Sequence, residues 1–89
     1  MRRKTRDVIQ KAYQIYELIL EISKKRLATT NLILEEATKK KILDDYGNLY
    51  YILRILEKKG LVESSKWGRK LVWEATKVVN HEKFNEIIL

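Results

Sequence analysis

The chain has 89 residues, 45% of them hydrophobic, and a formal net charge of +7, which fits one small globular domain with a single core. It contains no cysteine, so disulfide scaffolds and thiolate metal sites are excluded. No apolar run reaches the ~18 residues that a membrane span needs. With no recognisable export signal, we expect a cytoplasmic protein. A cationic surplus of this size favours a polyanionic partner, most simply nucleic acid.

The first predicted helix runs from Thr5 to about Lys25, with Thr5 as its N-cap and residues 1–5 as a flexible basic arm. Its apolar residues form two adjacent stripes, which are Val8, Ala12, Ile15, Ile19 and Ile22, and then Ile9, Tyr13, Tyr16 and Leu20. One stripe is enough to cover a small core. The second stripe therefore needs another cover, either the C-terminus of this chain or a second protomer.

Two further helices are predicted in the middle of the chain. Thr29 or Thr30 caps a short helix over residues 31–38. A basic loop follows, consisting of Lys39, Lys40 and Lys41. The next helix runs from about Asp45 to Lys59, and its apolar face consists of Leu49, Ile52, Leu53 and Leu56. Gly60 suits the left-handed residue that ends such a helix.

A hairpin and a short helix complete the predicted order. The strands cover 61–66 and 69–74 around Trp67-Gly68, with Gly68 supplying a positive φ. The last helix begins at Asn80 and buries Phe84, Ile87 and Ile88. The expected fold is α+β, mainly α: a winged helix-turn-helix of three helices, a two-stranded β-hairpin wing and a short C-terminal helix. We expect one domain over residues 1–89, with 77–89 as a C-terminal segment that can serve as a dimerisation helix.

Residues 47–62 resemble the PadR family of winged-helix transcriptional regulators. The family pattern is roughly G-T-L-Y-P-x-L-x-R-L-E-x-x-G-L-V, and here the segment stands as G-N-L-Y-Y-I-L-R-I-L-E-K-K-G-L-V. The matching residues are Gly47, Leu49, Tyr50, Leu53, Leu56, Glu57, Gly60, Leu61 and Val62, whereas Asn48, Tyr51 and Ile55 depart from the pattern. Leu56 followed by Gly60-Leu61-Val62 is also shared with MarR-like and ArsR-like repressors. The resemblance implies a DNA-binding regulator, although the family's wing and C-terminal helix are usually longer.

The third predicted helix carries the candidate DNA-contacting residues. The face opposite its apolar stripe consists of Gly47, Tyr50, Tyr51, Arg54 and Lys58, and Asn48 is a further candidate near the start of the helix. Asn48 can pair bidentately with adenine and Arg54 with guanine, while the tyrosines can bind phosphates or pack on thymine methyls. Asp45 as N-cap and Gly47 without a side chain would leave the helix start open to a phosphate. Alternatively, the tyrosines pack on neighbouring structure and Arg54 pairs with Glu57.

Three other groups of cations are candidates for phosphate or minor-groove contacts. They are Lys66, Arg69 and Lys70 on the hairpin, Lys39, Lys40 and Lys41 in the loop, and Arg2, Arg3, Lys4 and Arg6 in the N-terminal arm. The loop and the arm can equally be solvated surface. Of the remaining aromatic residues, Trp73 is predicted to lie in the core, Trp67 to be more exposed, and His81 to be solvated.

The favoured hypothesis is a sequence-specific double-stranded DNA-binding regulator that acts as a homodimer on an inverted repeat. The predicted dimer interface consists of Ile9, Tyr13, Tyr16, Leu20, Phe84, Ile87 and Ile88. One alternative is a protein-interaction winged helix of a transcription or chromatin assembly, anchored by exposed aromatic residues. Another is an architectural DNA binder without sequence preference.

An enzyme has the least support, because no residue set supplies a nucleophile with a positioned base. We expect no metal and no cofactor, and the sequence leaves the DNA site and any small-molecule effector open. The absence of Cys and Pro and the high content of Lys, Glu, Ile and Leu are typical of thermophiles, which indicates an archaeal or archaeal-virus source.

Overall fold

A computed structural model describes residues 6–88, which form four helices and a three-stranded antiparallel sheet. In chain order the elements are α1 Arg6–Ser23, β1 Ala28–Thr29, α2 Thr30–Lys39, α3 Tyr46–Lys58, β2 Val62–Trp67, β3 Lys70–Ala75 and α4 His81–Ile88. The α+β, mainly helical class is therefore as the sequence predicts. The predicted cap Thr5 and the cations Arg2, Arg3 and Lys4 lie outside the described residues. None of the helices described is long and apolar enough to cross a membrane.

Side-chain caps begin three of the helices at the residues that the sequence indicates. The Thr29 hydroxyl accepts a hydrogen bond from the Leu32 N–H at 3.2 Å, and a carboxylate oxygen of Asp45 accepts one from the Asn48 N–H at 3.0 Å. The Asn80 side chain caps α4 in the same way. Each cap satisfies a backbone donor that has no partner within its helix, which contributes about 1 kcal/mol.

Helices α2 and α3 end in the same backbone motif, although only one of them has a glycine there. Gly60, with φ of 74°, follows α3, and the Leu61 N–H donates to the Leu56 carbonyl at 3.0 Å. Lys41, with φ of 58°, follows α2, and the Ile42 N–H donates to the Ala37 carbonyl at 2.9 Å. Both are Schellman endings, but Lys41 takes the left-handed conformation against the preference of a residue with a Cβ.

The sheet has the order β1-β3-β2, so the long hairpin β2–β3 gains a third strand that the sequence did not predict. Residues Ala28 and Thr29 of β1 pair with Trp73 and Val72 of β3. Two residues are too few to show the alternating pattern of a strand. This pairing brings the start of α2 beside the hairpin.

The hairpin turn lies one residue later than predicted. Trp67 pairs with Lys70 as the last residue of β2, and Gly68-Arg69 forms the two-residue loop. Gly68 has φ of 65°, and Arg69 does not have a positive φ. A glycine in the first loop position is the requirement of a type II′ turn, whose twist matches that of the strands. The predicted turn Trp67-Gly68 is therefore wrong by one position, and Trp67 is a strand residue at the end of the hairpin.

Helix α1 lies at the centre of the core and packs against α2, α3, α4 and the sheet. Trp73, which is 1% exposed, fills the space between the sheet and the helices, as the sequence predicts. Its indole N–H donates to the hydroxyl of the buried residue Thr30 at 2.8 Å, so the polar groups of both side chains have a partner. This bond also ties the start of α2 to β3.

Helix α4 covers the second apolar stripe of α1, so the cover comes from this chain's own C-terminal segment. Tyr16, Phe84 and Ile88 are fully or almost fully buried within the protomer. They cannot form a dimer surface as predicted, because no solvent-facing area is left for a second copy. Ile9, Tyr13, Leu20 and Ile87 are half-buried and pack against the same core.

Tyr16 also holds the segment that leads into α4. Its phenol donates a hydrogen bond to the Lys77 carbonyl and accepts one from the Val79 N–H at 3.2 Å. Burial raises the pKa of the Tyr16 phenol above its ordinary value, against the lowering effect of the bond from Val79. The ring of His81, at the start of α4, stacks on Tyr13 with 4.3 Å between ring centroids.

Candidate nucleic-acid interface

Helix α3 presents three exposed polar residues, which we call its polar row, and two tyrosines that are less exposed. Asn48, Arg54 and Lys58 are exposed, whereas Tyr50 and Tyr51 are half-buried and pack against the core. The surface of α3 is therefore open to solvent at its polar positions and only partly so at the tyrosines. The half-buried rings limit how far the tyrosines can reach toward a partner.

Tyr50 is the centre of an aromatic contact between α3 and the sheet. Its ring stacks on that of Tyr46 with 6.2 Å between centroids and 7° between planes. It also meets the ring of Trp73 edge-on, at 6.4 Å and 77°. Tyr50 thus has the packing role that the sequence left open as an alternative, and it places Tyr46, which is 50% exposed, at the surface.

Arg54 is held by a carboxylate that is itself held by the hairpin. A terminal nitrogen of Arg54 donates to Glu57 Oε1 at 2.8 Å, and the Ser64 hydroxyl donates to Glu57 Oε2 at 2.8 Å. The ion pair with Glu57 anticipated as an alternative is present. The Arg54 side chain is nevertheless 53% exposed, so the rest of its planar fork faces solvent.

The start of α3 differs from the expectation of an open phosphate site. The Asp45 carboxylate bonds the Asn48 N–H, and a Cβ built on Gly47 would stand 3.3 Å from its Oδ2 atom. One of the free donors is thus already used. The negative charge of Asp45 at this helix end also repels a phosphate, so the phosphate site expected there is not supported.

The tip of the hairpin, residues 66–70, carries three exposed cations: Lys66, Arg69 and Lys70. Within residues 6–88, none of the three forms a salt bridge. Their charges are therefore compensated only by solvent and salt. Such a group is the kind of surface that attracts a polyanion and releases counterions when one binds.

A cleft of about 200 Å³ connects this tip to two helices, and we call it the hairpin cleft. Its lining residues are Thr29, Thr30 and Asn31 at the start of α2, Tyr46 at the start of α3, and Arg69, Lys70 and Leu71 of the hairpin. None of them is acidic. Sequence reasoning missed Asn31 and Tyr46, because the unpredicted pairing of β1 with β3 is what brings α2 to the hairpin.

The basic loop between α2 and α3 has a different environment. Lys39 lies 3.5 Å from carboxylate oxygens of both Glu35 and Glu36, and Lys40 lies 3.6 Å from Glu21. Lys41 is exposed, but its conformation is that of the helix ending described above. None of the three lines the hairpin cleft. The structure thus favours the solvated-surface interpretation for this loop and separates it from the hairpin cations.

Among residues 6–88, no three His, Asp or Glu side chains are grouped so that they could hold a metal ion. Comparison with protein-family models, with curated proteins and with solved structures finds no match to this chain. The candidate interface is therefore defined by its own geometry: the polar row of α3, the hairpin tip, and the cleft between them.

Proposed function

We propose that this chain is a sequence-specific double-stranded DNA-binding transcriptional regulator of the winged-helix type. The observation that carries the proposal is the hairpin cleft, where Tyr46, the first residue of α3, and the cations Arg69 and Lys70 of the hairpin line one cleft with no acidic lining residue. A helix with an exposed polar row beside a cationic hairpin matches the winged-helix arrangement, in which the helix lies in the major groove. The resemblance of residues 47–62 to PadR regulators points the same way.

In this proposal the hairpin cleft binds the DNA backbone. Arg69 and Lys70 supply charge, and the Tyr46 hydroxyl and the Asn31 amide add hydrogen-bond donors that fit a phosphate. These contacts position the protein on the duplex without selecting a sequence. The stacking of Tyr50 on Tyr46 has a role in this proposal, because it holds the Tyr46 ring in place at the cleft.

Sequence selection is assigned to Arg54 and Asn48 on the exposed row of α3. Guanine offers two acceptors that match an arginine fork, and adenine offers a donor and an acceptor that match an asparagine amide. Glu57 and Ser64 restrict the directions that Arg54 can take. A restricted arginine loses less side-chain entropy when it binds a base, which favours discrimination.

A homodimer remains part of the proposal, with two copies of α3 one helical turn of DNA apart. The four half-buried members of the predicted interface still face solvent in part, and they are Ile9, Tyr13, Leu20 and Ile87. Sedimentation at tens of micromolar tests this part. A chain that is monomeric both in solution and on its DNA site would contradict the prediction of an inverted-repeat site.

The test of the function is in vitro selection from random duplexes, followed by titration of the winning site and a scrambled control. We expect one enriched motif, with affinity that falls steeply between ~50 and ~200 mM salt. Binding without enrichment would make the chain an architectural binder. Absence of salt-dependent binding to any duplex would overturn the proposal and favour a protein-interaction module.

A further inference from the structure

Trp67 is an exposed tryptophan that the fold does not use. It is 58% exposed, whereas Trp73, the other tryptophan, is 1% exposed. Leaving a large aromatic ring in water forgoes the burial that usually stabilises such a residue. Neither the core nor the aromatic contacts of α3 include Trp67. The side chain therefore has a surface that is available for a partner.

The backbone presents this ring at the end of the hairpin. Trp67 pairs with Lys70 across the two-residue loop, so both side chains lie on the same face of the hairpin. The loop itself is as short as a hairpin allows, with Gly68 in its required positive φ. The minor groove of B-DNA is about 6 Å wide, which is too narrow for both strands with their side chains but wide enough for one side chain that projects from the end of the hairpin.

The charges around Trp67 indicate what kind of partner it meets. Lys66, Arg69 and Lys70 all lie within three residues of it, Lys70 as its cross-strand partner, and the tip contains no carboxylate. Arg69 and this partner, Lys70, also line the hairpin cleft. A polyanion that also offers flat apolar faces is a nucleic acid, whose bases stack on aromatic side chains.

We propose that Trp67 inserts into the minor groove of the bound duplex as an aromatic wedge, where it stacks on a base at a partly opened step and bends the DNA. Wedges of this kind unstack one base step and kink the duplex toward the major groove. The three cations hold the phosphates on either side of the opened step. This inference rests on the proposed function, because it needs a duplex bound at the hairpin.

The two tryptophans make the test direct. Trp67→Ala and Trp67→Phe are compared with the wild-type chain by tryptophan fluorescence during titration with the selected duplex, and by energy transfer between dyes on the two DNA ends. Binding should quench the wild-type emission, and the Trp67→Phe variant, which keeps only buried Trp73, should show no quenching. Trp67→Ala should lower affinity about tenfold, equivalent to one base–aromatic stack, and should reduce the bend. Trp67→Phe should keep most of both.

Lys66→Ala is the matched control at the same tip. It should weaken binding and its salt dependence while leaving both the quenching and the bend of the saturated complex in place. The wedge is overturned if Trp67→Ala binds and bends the selected duplex as the wild type does. That result would leave the regulator proposal standing. A wild-type chain that binds no duplex would overturn both proposals together.

Discussion

The helical side of the molecule and the hairpin side treat their cations differently. On the helices, Lys11, Lys39 and Lys83 each lie within 3.4–3.7 Å of a carboxylate three or four residues away. On the hairpin tip, residues 66–70, three cations stand together without a salt bridge to any described residue. The net charge alone suggests only that a polyanion is attracted. Lys24, Lys25 and Arg26, after α1, also form no salt bridge among the described residues, but Lys25 and Arg26 line a pocket together with Glu21 and Glu36. The lining of the hairpin cleft contains no carboxylate, and this distinguishes the hairpin side as the surface that favours a polyanion.

The aromatic residues show the same contrast. Tyr13, Tyr16 and Phe84 pack against one another where α1 meets α4, with ring centroids 5.0–6.4 Å apart. At the other side, Tyr46 and Trp67 are at least half exposed. The α1–α4 contact thus stabilises the fold, whereas the aromatic rings on the hairpin side remain accessible to a partner. Substitutions on the two sides should therefore change different properties.

The largest expected effect is the loss of DNA affinity when the hairpin cations are removed. Arg69→Ala with Lys70→Ala should weaken binding about 30-fold per protomer at ~0.15 M salt, because each phosphate contact contributes about 0.9 to the slope of log affinity against log salt. The slope itself should fall by about two. Titration by fluorescence anisotropy over several salt concentrations measures both quantities.

The matched control is Lys39→Ala with Lys83→Ala, which removes the same charge from the helical side. If net charge alone governed binding, the two double variants would lose affinity equally. Equal losses of DNA affinity would show that the hairpin cations have no special part in binding.

The next effect concerns sequence preference. Arg54→Ala should cost about 1.5 kcal/mol on the selected site, within the range of one bidentate base contact, and should relax specificity at one position. Repeating the selection with the variant identifies that position. An unchanged motif would show that Arg54 does not contact a base.

Glu57→Gln tests whether the ion pair with Glu57 positions Arg54 for recognition, because the variant leaves Arg54 itself unchanged. The variant loses one negative charge, so its affinity for scrambled duplex should rise slightly, while its preference for the selected site should fall. A preference equal to that of the wild type would mean that the bond from Arg54 to Glu57 has no part in recognition.

A smaller effect, on stability alone, is expected at the α1–α4 contact. Tyr16→Phe should cost about 1 kcal/mol at neutral pH, because the Lys77 carbonyl and the Val79 N–H lose their partner. The raised pKa of Tyr16 means that the fold favours the protonated phenol. That contribution is complete below pH ~10, the ordinary tyrosine value, and is lost as the pH rises toward the folded-state pKa.

Urea denaturation of both chains at a series of pH values checks this expectation. The advantage of the wild type over Tyr16→Phe should shrink above pH ~10, and DNA binding at neutral pH should be the same for both. An advantage that grows with pH would contradict the assigned protonation state. A loss of DNA affinity in Tyr16→Phe would show that the α1–α4 contact contributes to DNA binding, contrary to the account.

The smallest effect is a gain. Lys41→Gly should stabilise the chain by about 0.5 kcal/mol, since relief of the left-handed conformation outweighs the added flexibility of the unfolded chain. Lys40→Gly, one position earlier where φ is −87°, should destabilise it. Thermal unfolding distinguishes the two. The reverse order would mean that Lys41 makes a compensating contact.

Most of the fold could be predicted because its signals are local. The caps at Thr29, Asp45 and Asn80 and the ending at Gly60 are written in adjacent residues. The dimer assignment of Tyr16, Phe84 and Ile88 failed because an apolar stripe does not say which segment covers it. The sequence allowed either the C-terminal segment or a second protomer to cover this stripe, and in the structure the C-terminal helix α4 covers it.

The candidate site was predictable only in part, for a related reason. The polar row of α3 and the hairpin cations follow from helical periodicity and turn residues. The hairpin cleft depends on the pairing of β1 with β3, between residues that are far apart in sequence. Asn31 and Tyr46 gave no signal of their own, since each becomes part of a site only after the sheet has formed. The Asp45 carboxylate repels a phosphate at the start of α3, and this effect becomes clear only from the geometry of the cap.

The central claim is that the polar row of α3 and the hairpin tip together form the surface that binds a duplex. Amide chemical-shift mapping with the selected duplex tests it residue by residue. We predict that the largest perturbations cluster at Asn48, Arg54 and Lys58, at Asn31 and Tyr46, and across residues 66–70, with little change in α4. Perturbations centred on the α1–α4 contact, with the hairpin unaffected, would contradict the account.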